Sequence, residues 1–563
     1  MKIVIVGGVA GGATAAARIR RLDEQAQIIV FERSGYVSYA NCGLPYYIGD
    51  VITDPEALTL QTPESFFKRF RVTMKVHHEV TALHPEKKTV SVKNLTTGEV
   101  FEESYDKLIL SPGAKPTQPK LPGIDMEKVF TLRTVEDTFR LKKYIETKKP
   151  TSAVLAGGGF IGLELAENLK DLGIDVTIVQ RPKQLMNPFD ADMASFIHNE
   201  MRKHGVKLLL GHTVEGFEEK GETIRVLLKD EQPLHADLVA LAIGVTPDTH
   251  LAKEAGLQLG IKDSIVVNDR METSIPDIYA AGDAVMVKHY VTGLDALISL
   301  AGPANKQGRI IADNICGGDS HYLGSQGSSV IKVFDLIAAT TGINETNARK
   351  AGLDVDTVIL SPMNHAGYYP GGKVMTMKVV FEKNTYRLLG AQIVGYEGVD
   401  KRIDVLSTAI HANLKATSLQ DLDLAYAPPY SSAKDPVNMA GFMIDNIANG
   451  VLKQWHLSDL TSVLQDSNAT LLDVRTISEY EHSHIEGFKN IPVDELRDHL
   501  SEIEKDKPVY VICQSGLRSY IATRILSQNG YDAYNFAGGF RFYEAVMHDR
   551  SLVEKETACG MDL

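Results

Sequence analysis

One cysteine, Cys42, lies in the run SYANCGLPYY at residues 38–47, about thirty residues after a glycine-rich turn. A cysteine thiolate can attack a disulfide or a persulfide and form a mixed disulfide. Pro45 and Tyr47 occupy the positions where a C-x-x-C or C-x-x-x-x-C partner would stand. Cys42 therefore lacks a neighbouring cysteine with which to close an internal disulfide. We expect its redox partner to be an external thiol, a persulfide or an oxygen atom.

A second reactive cysteine, Cys513, begins the run CQSGLRS at residues 513–519, between a predicted strand and a predicted helix. A glycine-containing loop at a helix start can aim several amides at a thiolate and hold a persulfide anion. Arg518 adds a positive charge at the rim of this loop. The pattern predicts sulfur transfer at Cys513, with a catalytically silent module as the alternative.

Two glycine-rich turns, each between a strand and a helix, predict two nucleotide-binding βαβ units. Glycines let the backbone approach a pyrophosphate, and the helix start supplies amide dipoles. The first turn consists of Gly7, Gly8, Val9, Ala10, Gly11 and Gly12. The second has the full G-x-G-x-x-G pattern, in Gly157, Gly159 and Gly162.

The strand that follows each turn ends at a residue expected to contact the ribose. Glu32 follows the first turn at the interval expected for an acid that binds ribose hydroxyls. At the matching place in the second unit stand Gln180 and Arg181. An acid there would favour NADH, and an adjacent arginine can accept the 2′-phosphate of NADPH. The sequence therefore leaves the choice between NADH and NADPH open.

The elements that position these residues group into four predicted domains. A nucleotide-binding domain is interrupted by a second one, and an α+β domain and a small α/β domain follow. The predicted boundaries are 1–115 with 245–325, 116–244, 326–446, a linker at 447–454, 455–550, and a tail at 551–563.

Composition excludes several classes of protein. A chain of 563 residues is too long to fold around one hydrophobic core. Its net charge of −13 argues against a nucleic-acid partner. Four cysteines in this length indicate a reducing compartment, with Cys316 structural and Cys559 either incidental or a mobile thiol. The N-terminus enters a strand without a signal peptide, and we find no run long enough to insert into a membrane. We expect a cytoplasmic protein without a metal.

The motifs together resemble the coenzyme A-disulfide reductase branch of the pyridine nucleotide–disulfide oxidoreductases. The resemblance rests on the first glycine turn, the Cys42 run, the second turn, AAGD at 280–283, YYPG at 368–371 and YAPPYS at 426–431. Residues 455–550 are similar to a rhodanese domain, through LDVR at 472–475, GFKNIP at 487–492 and the Cys513 loop. The resemblance implies an α/β fold with two Rossmann-like FAD- and NAD(P)-binding domains, an α+β dimerisation domain and a C-terminal rhodanese-like α/β domain.

The resemblance also implies which residues bind the cofactors. FAD would contact the first glycine turn together with Glu32, Arg33, Ser111, Pro112, Gly113, Gly282 and Asp283, the last of which would hold the ribityl chain. NADH or NADPH would contact the second turn together with Gln180 and Gly244.

A polar stripe on the first helix is a candidate site for coenzyme A. Thr14, Arg18 and Arg21 fall at i, i+4 and i+7 and share one face of that helix. Taken alone, this spacing favours a solvated helix face, whereas the resemblance implies a site for the nucleotide end of coenzyme A. It adds as substrate contacts Ser38, Asn41, Arg71, Asn305 and Lys434. It further implies that Tyr368 and Tyr426 come from the other subunit of a homodimer and approach the substrate sulfur.

The sequence therefore predicts an FAD-dependent NAD(P)H oxidoreductase that reduces coenzyme A disulfide and coenzyme A persulfide or polysulfide through Cys42. Cys513 would relay sulfane sulfur from polysulfide or another donor, and sulfide would be released. The sequence does not rank disulfide against persulfide.

Two alternatives remain. One is an NADH oxidase or peroxidase that cycles Cys42 through sulfenic acid and carries an accessory rhodanese. Those related enzymes typically place a histidine in the first glycine turn, where this chain has Ala10, which counts against peroxide as the main substrate. The other is a non-enzymatic sulfur carrier or redox sensor.

Overall fold

A run of buried apolar residues at the N-terminus forms the central strand of a five-stranded parallel sheet in the computed structural model, which describes residues 1–558. The strands are, in spatial order, Ile278–Ala280, Lys107–Leu110, Lys2–Val6, Gln27–Phe31 and Thr73–Lys75. Strands covered on both faces are apolar throughout, as Ile3, Val4 and Ile5 are. The glycine turn follows the carboxyl end of the central strand, where parallel sheets bind their ligands.

A second five-stranded parallel sheet repeats this arrangement. Its strands are, in spatial order, Val129–Thr131, Leu238–Leu241, Ser152–Ala156, Asp175–Gln180 and Lys207–Leu210. The two chain segments that connect it to the first sheet pair with each other as antiparallel strands, Ala114–Pro116 with Val245–Pro247. These strands lie where the sequence predicts the boundaries of the inserted domain. Those boundaries stay a prediction.

Both parallel sheets belong to one compact unit, residues 1–183 with 205–327. Its helices are Ala10–Leu22, Leu44–Ile48, Pro63–Phe70, Val135–Lys148, Phe160–Asp171, His250–Glu254 and Ala301–Ile315, with short 3₁₀ turns at Asn41–Gly43, Pro55–Leu58, Pro85–Lys87, Ile261–Asp263 and Gly282–Ala284. Smaller sheets contain Val37–Tyr39 with Thr59–Gln61; His78–His84, Thr89–Asn94 and Val100–Ser104; Val214–Lys220, Thr223–Leu228 and Leu234–Ala236; and Ile265–Val266, Val285–Lys288 and Asp295–Ala296.

The second compact unit comprises residues 184–204 and the chain from 328 onward. It contains a five-stranded antiparallel sheet in the order Ser329–Val333, Leu336–Gly342, Leu388–Gly395, Met375–Glu382 and Val355–Leu360. The helices Glu345–Lys350, Val399–His411 and Pro436–Ala448 and the 3₁₀ turn Ala416–Asp421 accompany the sheet. This is the α+β architecture that the sequence predicts for the third domain.

A five-stranded parallel sheet forms the C-terminal part of the same unit. Its strands are, in spatial order, Gln454–Trp455, Ala533–Phe536, Val509–Ile512, Thr470–Asp473 and Lys489–Asn490. The helices are Leu460–Gln465, Ile477–His482, Leu517–Gln528 and Gly539–Ala558, with 3₁₀ turns at Leu457–Asp459 and Leu500–Glu502. The last helix continues to Ala558, into the segment that the sequence assigns to a tail, and Cys559 lies outside the described residues.

The helix Ala191–Lys203 groups with the second unit, although the sequence places it inside the second nucleotide-binding domain. Polar contacts between its residues and the last helix explain this grouping. His198 Nδ1 lies 2.8 Å from Asp549 Oδ2, and Arg202 Nη1 donates to Asp549 Oδ1 at 2.6 Å. Over the residues that the structure describes, none of the helices is both long and apolar enough to cross a membrane.

Candidate active site and its two sulfur centres

The first glycine turn is held against the sheet by backbone contacts that leave no room for side chains. A Cβ at Gly7 would lie 2.0 Å from the Ser111 carbonyl oxygen, and one at Gly12 would lie 1.9 Å from the Gly7 carbonyl oxygen. The Gly8 N–H donates to Glu32 Oε2 at 2.8 Å. No side chain caps the start of the helix Ala10–Leu22, so its first amides face the turn as they would face a phosphate.

A cavity of about 310 Å³ opens beside this turn. Gly7, Glu32, Arg33 and Pro112 line it together with residues of the 78–81 strand and of the 248–251 segment. Arg33 Nη2 forms an ion pair with Asp248 Oδ2 at 2.8 Å. A cradle without side chains, a helix start and an acid at the strand end fit the adenosine and pyrophosphate parts of FAD.

Ser111 joins the first turn to the predicted ribityl contact. Its N–H donates to the Val6 carbonyl at 2.8 Å, and a Cβ at Gly11 would lie 2.7 Å from its hydroxyl oxygen. The Gly282 N–H donates to Gln307 Oε1 at 2.7 Å, which fixes the turn that carries Asp283. The predicted FAD residues on both sides of the inserted domain therefore come together, and Gly113 lies two residues beyond Ser111 with a positive φ of 72°.

The second glycine turn has the same internal contact as the first. The Gly158 N–H donates to Gln180 Oε1 at 3.0 Å, so Gln180 takes the place that Glu32 has beside the first glycine turn. Gly157 and Gly162 are again confined by backbone atoms, whereas a Cβ at Gly159 would meet open space. Gly244 follows the neighbouring strand and has a φ of 107°. The arrangement fits the pyrophosphate of NADH or NADPH.

Cys42 lies on a 3₁₀ turn, Asn41–Gly43, that leads directly into the helix Leu44–Ile48. The Ser38 N–H donates to the Gly8 carbonyl at 2.9 Å and so ties this segment to the first glycine turn. Cys42 is exposed. Desolvation raises the pKa of its thiol, the carboxyl group of Glu164 raises it further, and Arg133 acts in the opposite direction.

Arg133, which the sequence analysis missed, connects the cysteine turn with Asp283. Its Nη2 donates to Asp283 Oδ2 at 2.6 Å. With its side-chain amide turned so that the nitrogen faces the carbonyl and the oxygen faces the guanidinium, Asn41 donates to the Arg133 carbonyl at 3.0 Å and accepts from Arg133 Nη1 at 3.2 Å. Arg133 lies in a loop between a short strand and a helix, far from any motif in the sequence, so no local signal identifies it.

Glu164 is a second residue that the sequence analysis missed. It lies in the first turns of the helix Phe160–Asp171, two residues after Gly162. Burial, together with the charge of Glu167, raises its pKa to about 7. An acid inside an otherwise apolar helix start is the signal that could have identified it. Glu164 therefore changes its charge near neutral pH and acts on the Cys42 thiol.

The predicted coenzyme A stripe is present on the helix Ala10–Leu22, and its members contact polar residues of the neighbouring helix. Thr14 Oγ1 donates to Asn305 Oδ1 at 2.6 Å, and Arg18 Nε donates to Asp313 Oδ1 at 2.7 Å. Arg21 is exposed at the end of the stripe.

Arg71 lies near the C-terminal end of the helix Ala10–Leu22, where Arg20 binds its backbone carbonyl. The buried Arg20 donates through Nε to the Phe70 carbonyl at 2.8 Å and through Nη2 to the Arg71 carbonyl at 3.1 Å. The structure thus brings together Thr14, Arg18, Asn305 and, near the helix end, Arg71.

The second unit carries the remaining predicted substrate contacts. The hydroxyls of Tyr368 and Tyr426 lie 2.7 Å apart, and both side chains are largely exposed, at 76% and 45%. The hydrogen bond between the two hydroxyls raises the pKa of Tyr426. Lys434 is exposed in the segment that precedes the helix Pro436–Ala448. The tyrosine pair presents hydroxyl groups that can donate to a thiolate.

Cys513 follows the strand Val509–Ile512 and is buried. The Gly516 N–H donates to its sulfur at 3.1 Å, and the Ser519 hydroxyl donates at 3.2 Å. Ser519, which the sequence analysis did not single out, thus contacts the sulfur directly. Gly539 keeps the loop close to the last helix, since a Cβ there would lie 2.8 Å from the Cys513 carbonyl oxygen. The two donors can hydrogen-bond a sulfur anion bound at this position.

Arg518 and Glu479 form a two-pronged ion pair at the rim of this loop, with both N–O distances at 2.7 Å. The hydrogen bond from Arg518 lowers the pKa of Glu479 to about 2. Deeper in the domain, Arg475 pairs with Asp473 at 2.7 Å, and both side chains are almost completely buried. Arg518, which the sequence predicts as a catalytic group, is therefore paired with the carboxylate of Glu479.

Family profiles match the chain in three segments. Residues 1–308 match the pyridine nucleotide-disulphide oxidoreductase profile, residues 328–436 match its dimerisation domain, and residues 456–545 match the rhodanese-like domain.

Individual relatives from three organisms are similar to this chain over most of its length. A coenzyme A disulfide reductase of Staphylococcus aureus is 38% identical over 442 residues, which is 78% of this chain and 99% of the relative. The structure of reduced CoADR-RHD from Bacillus anthracis is 48% identical, with a TM-score of 0.95 and 98% of both chains covered. The NAD-dependent persulfide reductase of A. fulgidus is 37% identical, with a TM-score of 0.90, 96% of this chain and 100% of that chain covered.

Proposed function

Because the chain belongs to the pyridine nucleotide-disulphide oxidoreductase family, as an oxidoreductase that uses FAD and NAD(P)H, we propose that it reduces coenzyme A disulfide and coenzyme A persulfide through Cys42. The observation that carries this proposal is the position of Cys42. It is an exposed thiol on a turn whose backbone is hydrogen-bonded to the first glycine turn.

The overall reaction balances with one reduced nicotinamide. NAD(P)H, a proton and coenzyme A disulfide give NAD(P)⁺ and two coenzyme A thiols. With coenzyme A persulfide the products are NAD(P)⁺, one coenzyme A thiol and hydrogen sulfide. When bound at the first glycine turn, FAD would supply the two electrons that it receives from the nicotinamide.

The chain supplies the nucleophile and the groups that control its charge. The Cys42 thiolate attacks the substrate and forms a mixed disulfide with coenzyme A, while coenzyme A thiolate or hydrosulfide leaves. Arg133 favours the thiolate, whereas Glu164 in its charged form opposes it. With a pKa of about 7, Glu164 can hold a proton close to the sulfur at neutral pH.

Coenzyme A would bind along Thr14, Arg18 and Arg21, with Ser38 and Asn41 beside its reactive end. The arginines and Arg71 would neutralise its phosphates, which requires Arg18 to share its guanidinium with Asp313. In a homodimer, Tyr368, Tyr426 and Lys434 of the other subunit would complete the site, and the paired hydroxyls would donate to the leaving thiolate. The match to a dimerisation domain supports this assembly.

Cys513 would take sulfane sulfur from a donor and pass it to coenzyme A, whose persulfide is then reduced at Cys42. Two donors within 3.2 Å of its sulfur support a role in holding a persulfide anion. The carriage of sulfur between the two cysteines and the release of sulfide are part of this proposal.

Anaerobic NADH and NADPH oxidation with coenzyme A disulfide, coenzyme A persulfide and hydrogen peroxide tests the function. We expect turnover with both sulfur substrates, loss of that turnover in Cys42→Ser, and its retention in the matched control Cys316→Ser. Mass analysis of the purified protein should show coenzyme A on Cys42, released by dithiothreitol. Full persulfide turnover in Cys42→Ser, or faster turnover with peroxide than with either sulfur substrate, contradicts the proposal.

A second variant separates the two sulfur centres. Cys513→Ser should keep the reduction of coenzyme A persulfide and lose sulfur transfer from polysulfide to coenzyme A. If polysulfide-dependent turnover in the presence of coenzyme A is unchanged in Cys513→Ser, the relay is excluded.

A further inference from the structure

The arginine at the rim of the Cys513 loop is occupied by a carboxylate. Arg518 Nη1 and Nη2 each donate to one oxygen of Glu479 at 2.7 Å, with the two side chains 30% and 33% exposed. A guanidinium whose fork is filled by one carboxylate has little attraction left for a second anion. Thr476 also donates to Glu479 Oε2 from its backbone and its hydroxyl, both at 2.9 Å, which fixes the carboxylate in place.

The second arginine of the site is neutralised in the same way. Arg475 pairs with Asp473 in the interior and uses Nη2 to donate to the Ser483 carbonyl at 2.7 Å. Arg475 contacts the Cys513 loop through Nη1, which donates to Gln514 Oε1 at 3.4 Å. Arg475 therefore supports the loop and does not offer charge to a ligand.

The exposed groups around the loop are mainly apolar. Leu517 and Ile521 are 66% and 41% exposed and lie one turn apart on the same side of the helix Leu517–Gln528. Arg541 is an exposed cation whose backbone N–H donates to the Gln514 carbonyl at 3.1 Å. The mouth of the site thus combines an aliphatic surface with the exposed cation of Arg541.

We propose that Glu479 is a specificity-determining residue that directs Cys513 toward donors with a singly charged persulfide group, R–S–S⁻ or hydropolysulfide, and against thiosulfate, whose leaving group is the dianion sulfite. This inference rests on the proposed sulfurtransferase function of Cys513. In the favoured step, the Cys513 thiolate attacks the outer sulfur of R–S–S⁻, a Cys513 persulfide anion forms, and the thiolate R–S⁻ leaves. The same step with thiosulfate would release sulfite, but the dianion meets the Glu479 carboxylate beside Arg518.

Sulfur loading of Cys513 tests the proposal directly. The full-length flavoprotein with Cys42→Ser, which cannot consume the persulfide, is mixed with 2-hydroxyethyl persulfide or with thiosulfate. The rate at which the Cys513 peptide gains one sulfur atom is followed by mass spectrometry. We expect the rate constant to be at least about tenfold higher with the persulfide.

Two further variants locate the effect on the ion pair. Glu479→Gln should raise the ratio of thiosulfate loading to persulfide loading by about tenfold, because it frees the Arg518 fork for the dianion. The double variant Glu479→Gln with Arg518→Gln should lose that gain. Glu502→Gln is the matched control, since it neutralises a carboxylate of the same domain that pairs with the exposed Lys489, and it should leave the ratio unchanged.

The outcomes distinguish this inference from the function on which it rests. Equal loading by the two donors, or a gain that persists in the double variant, overturns the role of Glu479 and leaves sulfur transfer intact. Failure of Cys513 to load from either donor removes the sulfurtransferase function itself.

Discussion

Arg133 Nη2 lies 2.6 Å from Asp283 Oδ2, and the same arginine contacts the Asn41 amide beside Cys42. One guanidinium therefore links the turn that carries the redox thiol to the predicted ribityl contact of FAD. Both members of the ion pair are largely buried, with side chains 19% and 16% exposed. The charge that favours the Cys42 thiolate is thus fixed by the same contact that orients Asp283.

Replacing this arginine should slow the reactions of Cys42. In Arg133→Met the cation that lowers the pKa of the thiol is lost, while desolvation and Glu164 continue to raise it. We expect alkylation of Cys42 by iodoacetamide at pH 7.5 to be slower by about three- to tenfold, and FAD to be released more readily on gel filtration. Arg140→Met, an exposed change on the helix that follows, should alter neither property. Equal alkylation rates in Arg133→Met and the parent protein would show that Arg133 does not control the thiol.

The pH profile of Cys42 should respond to Glu164. Its pKa of about 7 means that it becomes charged as the pH rises through neutrality, and the new charge opposes thiolate formation. Glu164→Gln should therefore shift the alkylation profile of Cys42 to lower pH by roughly half a unit to one unit. Asp171→Asn, at the exposed end of the same helix, is the control. An unshifted profile in Glu164→Gln contradicts the electrostatic role.

The same residue should affect stability with a defined sign. A carboxyl group whose pKa is raised in the folded state keeps its proton longer there than in the unfolded chain. Stability therefore falls as the pH rises from about 4.5 to about 7. Glu164→Gln removes this loss, so its melting temperature should exceed that of the parent protein at pH 8 and match it near pH 4. A higher melting temperature at both pH values would point to another cause.

A buried ion cluster in the second unit should dominate the stability of that unit. Lys378, 2% exposed, lies 2.8 Å from Asp192, 2.9 Å from Glu345 and 3.2 Å from Asp190. Lys378→Met leaves Asp190 and Asp192 without their cation and Glu345 with Arg349 alone. It should lower the free energy of unfolding by roughly 3–5 kcal/mol at pH 7, followed by circular dichroism in urea.

Acidification should reduce that loss. Lys378 lowers the pKa values of Asp190 and Glu345, so its stabilisation is present above their unfolded pKa values and disappears as the pH falls. The exposed pair of Lys383 with Asp354 provides the control, because Lys383→Met should change stability by less than about 1 kcal/mol. Similar losses in the two variants would contradict the dominance of the buried cluster.

Nicotinamide preference should depend on Gln180. Its side chain accepts from the Gly158 N–H, as the Glu32 side chain accepts from the Gly8 N–H at the first glycine turn. Gln180→Glu keeps this contact and adds a negative charge near the expected 2′-position, so the ratio of kcat/KM for NADH to that for NADPH should rise by about tenfold. Arg181→Gln, which removes the neighbouring cation, should change the rate with NADPH more than that with NADH. An unchanged ratio in Gln180→Glu would place the ribose elsewhere.

The sequence by itself determined the parallel sheets and the two glycine turns, and it singled out Cys42 and Cys513. Each of these depends on local information, namely apolar runs of strand length, glycines where the backbone needs close approach, and a cysteine at the start of a loop. The Lys2–Val6 strand follows from such a pattern, whereas the contacts of Gly8 with Glu32 and of Gly158 with Gln180 were found only in the structure. The match to known families confirms the fold that those patterns indicate.

Only the tertiary structure decided which charged groups reach the two sulfur centres. Arg133 and Glu164 lie 91 and 122 residues along the chain from Cys42, and Glu479, which pairs with the rim arginine Arg518, lies 34 residues before Cys513. Ion pairs such as Arg518 with Glu479 form between separate helices, and a sequence pattern carries no signal for a partner chosen by packing. The helix Ala191–Lys203 likewise groups with the second unit because Asp549, at the far end of the chain, pairs with His198 and Arg202. Charge pairing over such separations depends on distance and burial, which exist only once the chain has folded.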